Sequence, residues 1–200
     1  MSPRPDVTER RTTQIIEAAT TVFAKKGFDG ATMADIADEA GINKATIYLY
    51  FDNKDALIHA IAESIFAQEL ADLQAAYESP GTATERLTAF YEALIAEEAE
   101  VLPLMPIVYE FYALGLRRED VRVVLSDFIS QSAGLLEAII QEGIEAGELA
   151  STDAGRAART LDALLSGTVL HWVYAPKEMD VDQQLRYGIQ LILEGLKKAN

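Results

Sequence analysis

The sequence predicts an all-α fold, a compact three-helix unit followed by a larger helical body, with about nine helices in total. Apolar residues recur at the i, i+3, i+4, i+7 spacing of a helix along almost the whole chain. The alternating pattern of a half-buried strand is almost nowhere to be found. Gly, Pro and capping residues punctuate the periodic segments where helix ends are needed.

Ile15, Ala18, Ala19, Val22 and Phe23 share one face of a first helix, which Gly27 can end. Met33, Ile36, Ala37 and Ala40 repeat the pattern in a second, with Asp35, Asp38 and Glu39 on the opposite face. Thr32 is placed to cap that helix, and Asp35, three residues on, to complete a capping box. Gly41 stops it after barely two turns, and Asn43 can cap the next helix. A long apolar-periodic segment then runs from about Asn53 to Ala76, carrying Leu57, Ile61, Ile65 and Leu73, until Ser79-Pro80-Gly81 breaks it. Later helices are predicted over about 82–100, 104–116, 119–146, 153–174 and 180–198, with breaks at Pro103 and Pro106, Gly147, and Ala175-Pro176. The domain cut falls after residue 53, giving a tri-helical domain over 1–53 and a helical body over 54–200.

Two hundred residues, half of them apolar, suffice for such a unit fused to a body with its own core. No apolar run approaches the roughly 18–20 residues that span a bilayer. The N-terminal MSPRPDVTERR lacks the apolar core of a signal peptide. A cytoplasmic protein without a membrane partner is expected. Cysteine is absent, which excludes disulfides and thiolate metal sites. The net charge of −15 argues at first sight against nucleic acid. Residues 1–55, however, hold seven Lys/Arg against nine Asp/Glu, whereas the other 145 hold ten against 23. The acid sits mainly in the body, and DNA contact by the N-terminal unit depends on a few well-placed cations.

The stretch from Thr32 to Leu57, TMADIADEAGINKATIYLYFDNKDAL, is the informative one. A helix-turn-helix needs a short first helix, a tight turn with Gly, and a second helix with one packed and one exposed face. Gly41 supplies the turn, and Ala37 and Ala40 permit close helix approach. Ile47 and Phe51 can pack inward, which leaves Lys44, Ala45, Tyr48 and Leu49 on the other side. The exposed N-terminal end of such a helix is the part that enters a major groove. The spacing of Thr32, Ile36-Ala37, Ala40-Gly41-Ile42, Thr46-Ile47-Tyr48, Tyr50-Phe51, Lys54 and Leu57 resembles the TetR family of bacterial transcriptional regulators over roughly the first 60 residues. Asn43 stands where Ser is common in that family and Ala45 where Gly is common. Both lie at the base-reading end, so operator identity does not carry over.

The resemblance implies DNA contacts from Thr32, Asn43, Lys44, Ala45, Thr46, Tyr48, Tyr50 and Lys54. Side-chain chemistry is compatible with each role. Thr32 can offer a phosphate its hydroxyl and amide, and Lys54 a cation. Tyr48 and Tyr50 can place phenol groups on the backbone, and Tyr48 can also touch a thymine methyl. Lys44 is the candidate reader of guanine O6/N7, with phosphate contact the alternative, and Ala45 and Thr46 offer apolar or hydroxyl contacts. Asn43 can read adenine or cap the helix. Arg10 and Arg11 can reach a phosphate or minor groove from an N-terminal arm, or stay solvated.

One small reading head buries little DNA, and symmetric dimers are the usual remedy. The resemblance implies a homodimer through the last two helices, with Leu161, Leu165, Trp172, Leu185, Ile189, Ile192 and Leu196 as interface candidates. The same stripes can equally build the body's own core. The resemblance also implies a small effector bound inside the body. Phe90, Tyr91, Leu102, Met105, Tyr109, Tyr112, Phe128 and Trp172 are the candidate lining, which suits an apolar or aromatic molecule. Glu110 can face a cationic ligand or point outward.

Chemistry of other kinds finds little footing. His59 and His171 have no metal-binding spacing, and no phosphate loop or nucleophile elbow occurs. The Glu97-Glu98-Ala99-Glu100 run reads as a solvated face. No catalytic residue, metal or cofactor is expected. The expected function is a ligand-responsive regulator, a repressor, that binds a palindromic operator as a homodimer. The alternatives are an activator, or a helical interaction protein that keeps the head without specific DNA binding.

Overall fold

The computed structural model describes residues 5–96 and 101–197. The carboxylate run at Glu97, Glu98 and Glu100 lies outside the described residues. Those described form nine α-helices: α1 (Pro5–Gly30), α2 (Met33–Glu39), α3 (Lys44–Ile47), α4 (Lys54–Glu78), α5 (Ala83–Ala96), α6 (Met105–Gly115), α7 (Glu119–Glu145), α8 (Ala154–Tyr174) and α9 (Val181–Leu196). A 3-10 turn over Leu102–Leu104 precedes α6. The all-α expectation therefore holds, with one isolated antiparallel bridge, Leu149 to Lys197, beside the helices.

The chain divides into two compact units, Met1–Ile65 with Pro106–Val123, and Phe66–Met105 with Val124–Asn200. The expected domain cut after residue 53 falls at the start of α4, inside the first unit. In that unit Ile15, Ala19, Ile36, Ala37, Ile47, Leu57, Ile58 and Phe111 are fully or nearly fully buried. The His59 ring stacks on Phe111 at 5.3 Å between centroids. Gly27 kinks α1 with φ 70°, a conformation costly for any residue with a Cβ. Arg10 and Arg11, expected on an arm, lie within α1, which starts at Pro5 because Pro suits a first helical turn. The Arg11 guanidinium donates to Gln14 Oε1 at 2.8 Å.

The second unit is built on Leu73, Leu87, Phe90, Leu136, Ile139, Ile140, Leu161, Leu185 and Ile189. Its helix starts are fastened by carboxylates. Glu148 accepts from the Ala83 and Thr84 amides at 2.8 and 2.9 Å, and so caps α5. Buried Arg86 donates to Tyr77 O at 2.8 Å and to Glu142 Oε2 at 2.7 Å, which holds the Glu142 carboxyl below its usual range.

α8 and α9 approach closely at Gly188, where an added Cβ would meet the Leu164 side chain at 2.7 Å. The apolar stripes of these two helices pack on the body's own core, one of the two uses open to them from sequence. Leu161, Leu185, Ile189 and Leu196 are buried in the chain's own core, and Leu165, Trp172 and Ile192 pack half-buried against it. The large apolar side chains left exposed on these two helices are Tyr174, Tyr187 and Leu191. By length and composition α7 is apolar enough to cross a membrane. Its buried Leu125, Phe128, Ser132, Leu136 and Ile139 recur every three or four residues, the single stripe of a core helix.

Candidate nucleic-acid interface

The helix-turn-helix is assembled from local rules. Thr32 caps α2, its hydroxyl accepting from the Asp35 amide at 3.2 Å while the Asp35 carboxylate accepts from the Thr32 amide at 3.0 Å. At the other end Gly41 adopts φ 63°, and the Ile42 amide bonds back to Ala37 O at 2.9 Å, turning the chain. Gln14 of α1 donates to Ala40 O at 2.7 Å, satisfying a carbonyl at the end of α2. Asn43 then caps α3 by accepting from the Ala45 amide at 2.8 Å, so of its two expected uses the capping one is realised.

α3 is short, but amides from Leu49 to Phe51 bond back to Thr46 and Ile47 carbonyls and prolong the helical turn. This turn has two faces. Ile47 is fully buried and Phe51 nearly so, anchoring one side. Lys44, Ala45, Tyr48 and Leu49 are exposed on the other, Leu49 at 80%. Thr46 and Tyr50 are half-buried. The outward residues at the start of α3 are those that base recognition from a major groove requires.

Thr32, Lys44, Tyr48 and Lys54 share one groove of about 720 Å³. Three carboxylates, Asp29, Asp52 and Asp55, line it too. Arg118 bonds Asp120 and lies 3.5 Å from Asp55, drawing off part of that negative charge.

Most cations of this unit are already engaged. Lys54 Nζ donates to Phe28 O at 2.6 Å and Ala31 O at 2.8 Å, and sits 4.4 Å from the Phe28 ring centroid. Two of its three donors thus tie α4 to the end of α1, and one is left for a phosphate. Lys26 pairs with Asp35 at 2.8 Å and Lys25 with Glu39 at 3.5 Å. The Lys26 contact and the Thr32 hydrogen bonds hold the Asp35 carboxyl down at about 2. Thr32 accordingly has both its amide and its hydroxyl on Asp35, and a phosphate there must compete with that carboxylate. Among the described residues Lys44 has no ion-pair partner.

The candidate effector residues divide between the units. Tyr109 and Tyr112, 5.7 Å apart, belong to the first. In the second, Phe90 and Tyr91 are buried edge to face, Phe128 stacks on Phe66 at 4.2 Å, and Leu102, Met105 and Trp172 are half-buried. Glu110 is exposed. Sequence reasoning missed the polar groups among these apolar ones, above all Glu69 and Asp162. A signal was present for Glu69, which sits half-buried between the buried Phe66 and Leu73 on α4. Among the described residues no His, Asp or Glu cluster fit for a metal ion occurs.

Comparison with known proteins accords with this geometry. Residues 15–61 match the profile of bacterial regulatory proteins of the tetR family, and residues 83–194 match that of the BetI-type transcriptional repressor C-terminal domain. The HTH-type transcriptional regulator TtgR of Pseudomonas putida is 31% identical over 179 residues, covering 84% of this chain and 82% of that protein. The crystal structure of FadR from Bacillus subtilis, in complex with stearoyl-CoA, is 25% identical with a TM-score of 0.71, covering 92% and 98% of the two chains. A regulator from Saccharomonospora viridis, in complex with choline, shares the fold at a TM-score of 0.84 and 19% identity, over 96% and 100% of the chains. With both profiles and the exposed recognition helix in agreement, the chain belongs to the TetR family of DNA-binding transcriptional regulators, which are not enzymes.

Proposed function

We propose that this regulator is a cytoplasmic repressor that binds a palindromic operator as a homodimer and leaves it when a small effector enters the body. The observation that carries the reading is the two-faced turn at α3. Ile47 and Phe51 lock one side while Lys44, Ala45 and Tyr48 stand free on the other. Thr32 and the spare donor of Lys54 flank them along the same groove and supply backbone contacts that fix register. A second copy supplies the second half-site. The outward Tyr187 and Leu191 of α9 and Tyr174 of α8 support pairing through these helices, with the buried stripe behind them as a rigid backing.

The relatives bound to stearoyl-CoA and choline support a small ligand as the signal. Release follows if the ligand favours a head spacing that no longer matches two successive major grooves. Its effect is limited to its differential affinity for the two states. The test is selection of genomic DNA fragments by the purified protein, then titration of the winning site at several salt concentrations. A palindromic site whose affinity falls with salt is expected. Folded, dimeric protein that enriches no fragment at low salt overturns the reading.

A further inference from the structure

The outermost side chains of the recognition turn are apolar, and the DNA contacts proposed above leave the larger of them unused. Ile47 and Phe51 are the buried anchor of that turn. At about 100° per residue, a position two removed from an anchor lies about 200° round from it and points away from the core. Ala45 and Leu49 stand two positions either side of Ile47, Leu49 is also two before Phe51, and both are exposed. Lys44 and Tyr48 form the neighbouring row, again four residues apart, and line the groove shared with Thr32 and Lys54. Ala45 and Leu49 are not part of that lining. The turn therefore presents a polar row beside the phosphate-binding groups and an apolar row at its crest.

Leu49 is 80% exposed, and its amide donates to Thr46 O at 3.1 Å, which fixes the backbone that carries it. Among the described residues of the helix-turn-helix, Tyr48 and Leu49 are the large apolar side chains left to solvent. An isolated exposed leucine elsewhere on a surface means little. At the crest of a turn that enters a major groove, the base edges decide what it costs. Leucine has neither donor nor acceptor. Against a C·G pair it would cover guanine N7 and O6 and the cytosine amine without replacing their hydrogen bonds to water. The apolar group that the major-groove edge does offer is the 5-methyl of thymine.

We infer that Leu49 is a specificity-determining residue that packs on the 5-methyl group of a pyrimidine, so that each operator half-site carries a T·A pair beneath it. The inference rests on the DNA-reading turn proposed above and names the base feature that this turn selects. It also makes binding sensitive to cytosine methylation, since 5-methylcytosine presents the same methyl at the same ring position.

The test uses the operator selected by the full-length protein, with deoxyuridine replacing one thymidine at a time, symmetrically in both half-sites. Uracil pairs as thymine does and lacks only the methyl. Burying one methyl is worth about fourfold in affinity, so at one such position the dimer should bind about 15-fold more weakly. Leu49→Ala should bind the natural and uracil operators at that position within about twofold of each other, with Tm unchanged because the side chain supports no core. Titration at about 50 mM salt keeps the variant's binding measurable. With a C·G pair placed there, 5-methylcytosine should bind the natural protein about 15-fold better than cytosine, and Leu49→Ala should not distinguish them. Affinity that ignores the methyl at every thymidine overturns the inference and leaves the regulator standing. A methyl effect that persists in Leu49→Ala also overturns it, because the effect then comes from DNA shape or from a neighbour such as Tyr48. Folded, dimeric protein that enriches no fragment overturns the DNA-reading turn itself, and the inference with it.

Discussion

Replacing Glu69 by Gln should stabilise the protein, and only above the acid range. The folded chain holds the Glu69 proton to about pH 7, against an ordinary value of 4.5. Folded protein therefore binds more protons than unfolded protein between those limits, and stability must fall as pH rises through them. Below about 4.5 the group is neutral in both states and contributes nothing. Above about 7 the deficit is complete. The full difference corresponds to about 3 kcal/mol, and water reaching the half-buried carboxyl trims this to about 2 kcal/mol. Urea unfolding of both proteins at pH 4.5, 6 and 8, at one protein concentration, is the assay. Glu69→Gln should match the natural chain at pH 4.5 and exceed it by about 2 kcal/mol at pH 8, through a higher midpoint with unchanged slope. Parallel pH profiles, or a variant that is less stable at pH 8, would refute the burial argument.

Other substitutions probe the DNA face and the packing. Lys44→Ala and Tyr48→Ala should each weaken binding to the selected operator by about 1–3 kcal/mol with Tm unchanged, because neither side chain supports the core. Equal operator affinity would remove them from the interface. Lys54→Met should lower stability by about 2 kcal/mol in chemical denaturation, since the Phe28 and Ala31 carbonyls lose their donor. An unchanged midpoint would mean that those bonds are inconsequential. Gly188→Ala should cost about 1–3 kcal/mol through overlap with Leu164, read as a drop in Tm.

What the sequence could reveal depended on how local the cause was. The Thr32–Asp35 capping box, the Gly41 turn, the Asn43 cap and the Ile47/Phe51 anchor each involve residues within four positions of one another, and all were legible. Lys54 was not, because its partner carbonyls lie 26 and 23 residues earlier and nothing in its neighbourhood names them. Lys26 and Asp35 meet across two helices and were equally hidden. The stripes of α8 and α9 were ambiguous for another reason. An apolar stripe has the same spacing whether its own chain or a second copy covers it, and here the chain buries Leu161, Leu185 and Ile189 itself. Glu69 feels the charge of Asp162 from another helix, 93 residues on in the chain, so that effect could not be seen from either segment alone.

The acidic balance of the DNA-binding head becomes intelligible once its ion pairs are known. Lys25 and Lys26 are neutralised by Glu39 and Asp35, and Lys54 is largely committed to backbone carbonyls. Lys44 is then the cation most available to DNA. Hydroxyls, amides and the spare donor of Lys54 must supply much of the rest, and these release few counterions. For one or two phosphates neutralised per protomer, at about 0.9 each, a dimer should lose affinity with a log–log salt slope of roughly −2 to −4. The slope follows from operator titrations between 50 and 300 mM salt, a range of about sixfold over which binding stays measurable. A slope of about −5 to −7 would contradict the structure as a picture of the bound state. It would mean that the Lys26–Asp35 and Lys25–Glu39 pairs open on the operator, delivering two further cations per protomer and freeing the Thr32 donors for a phosphate.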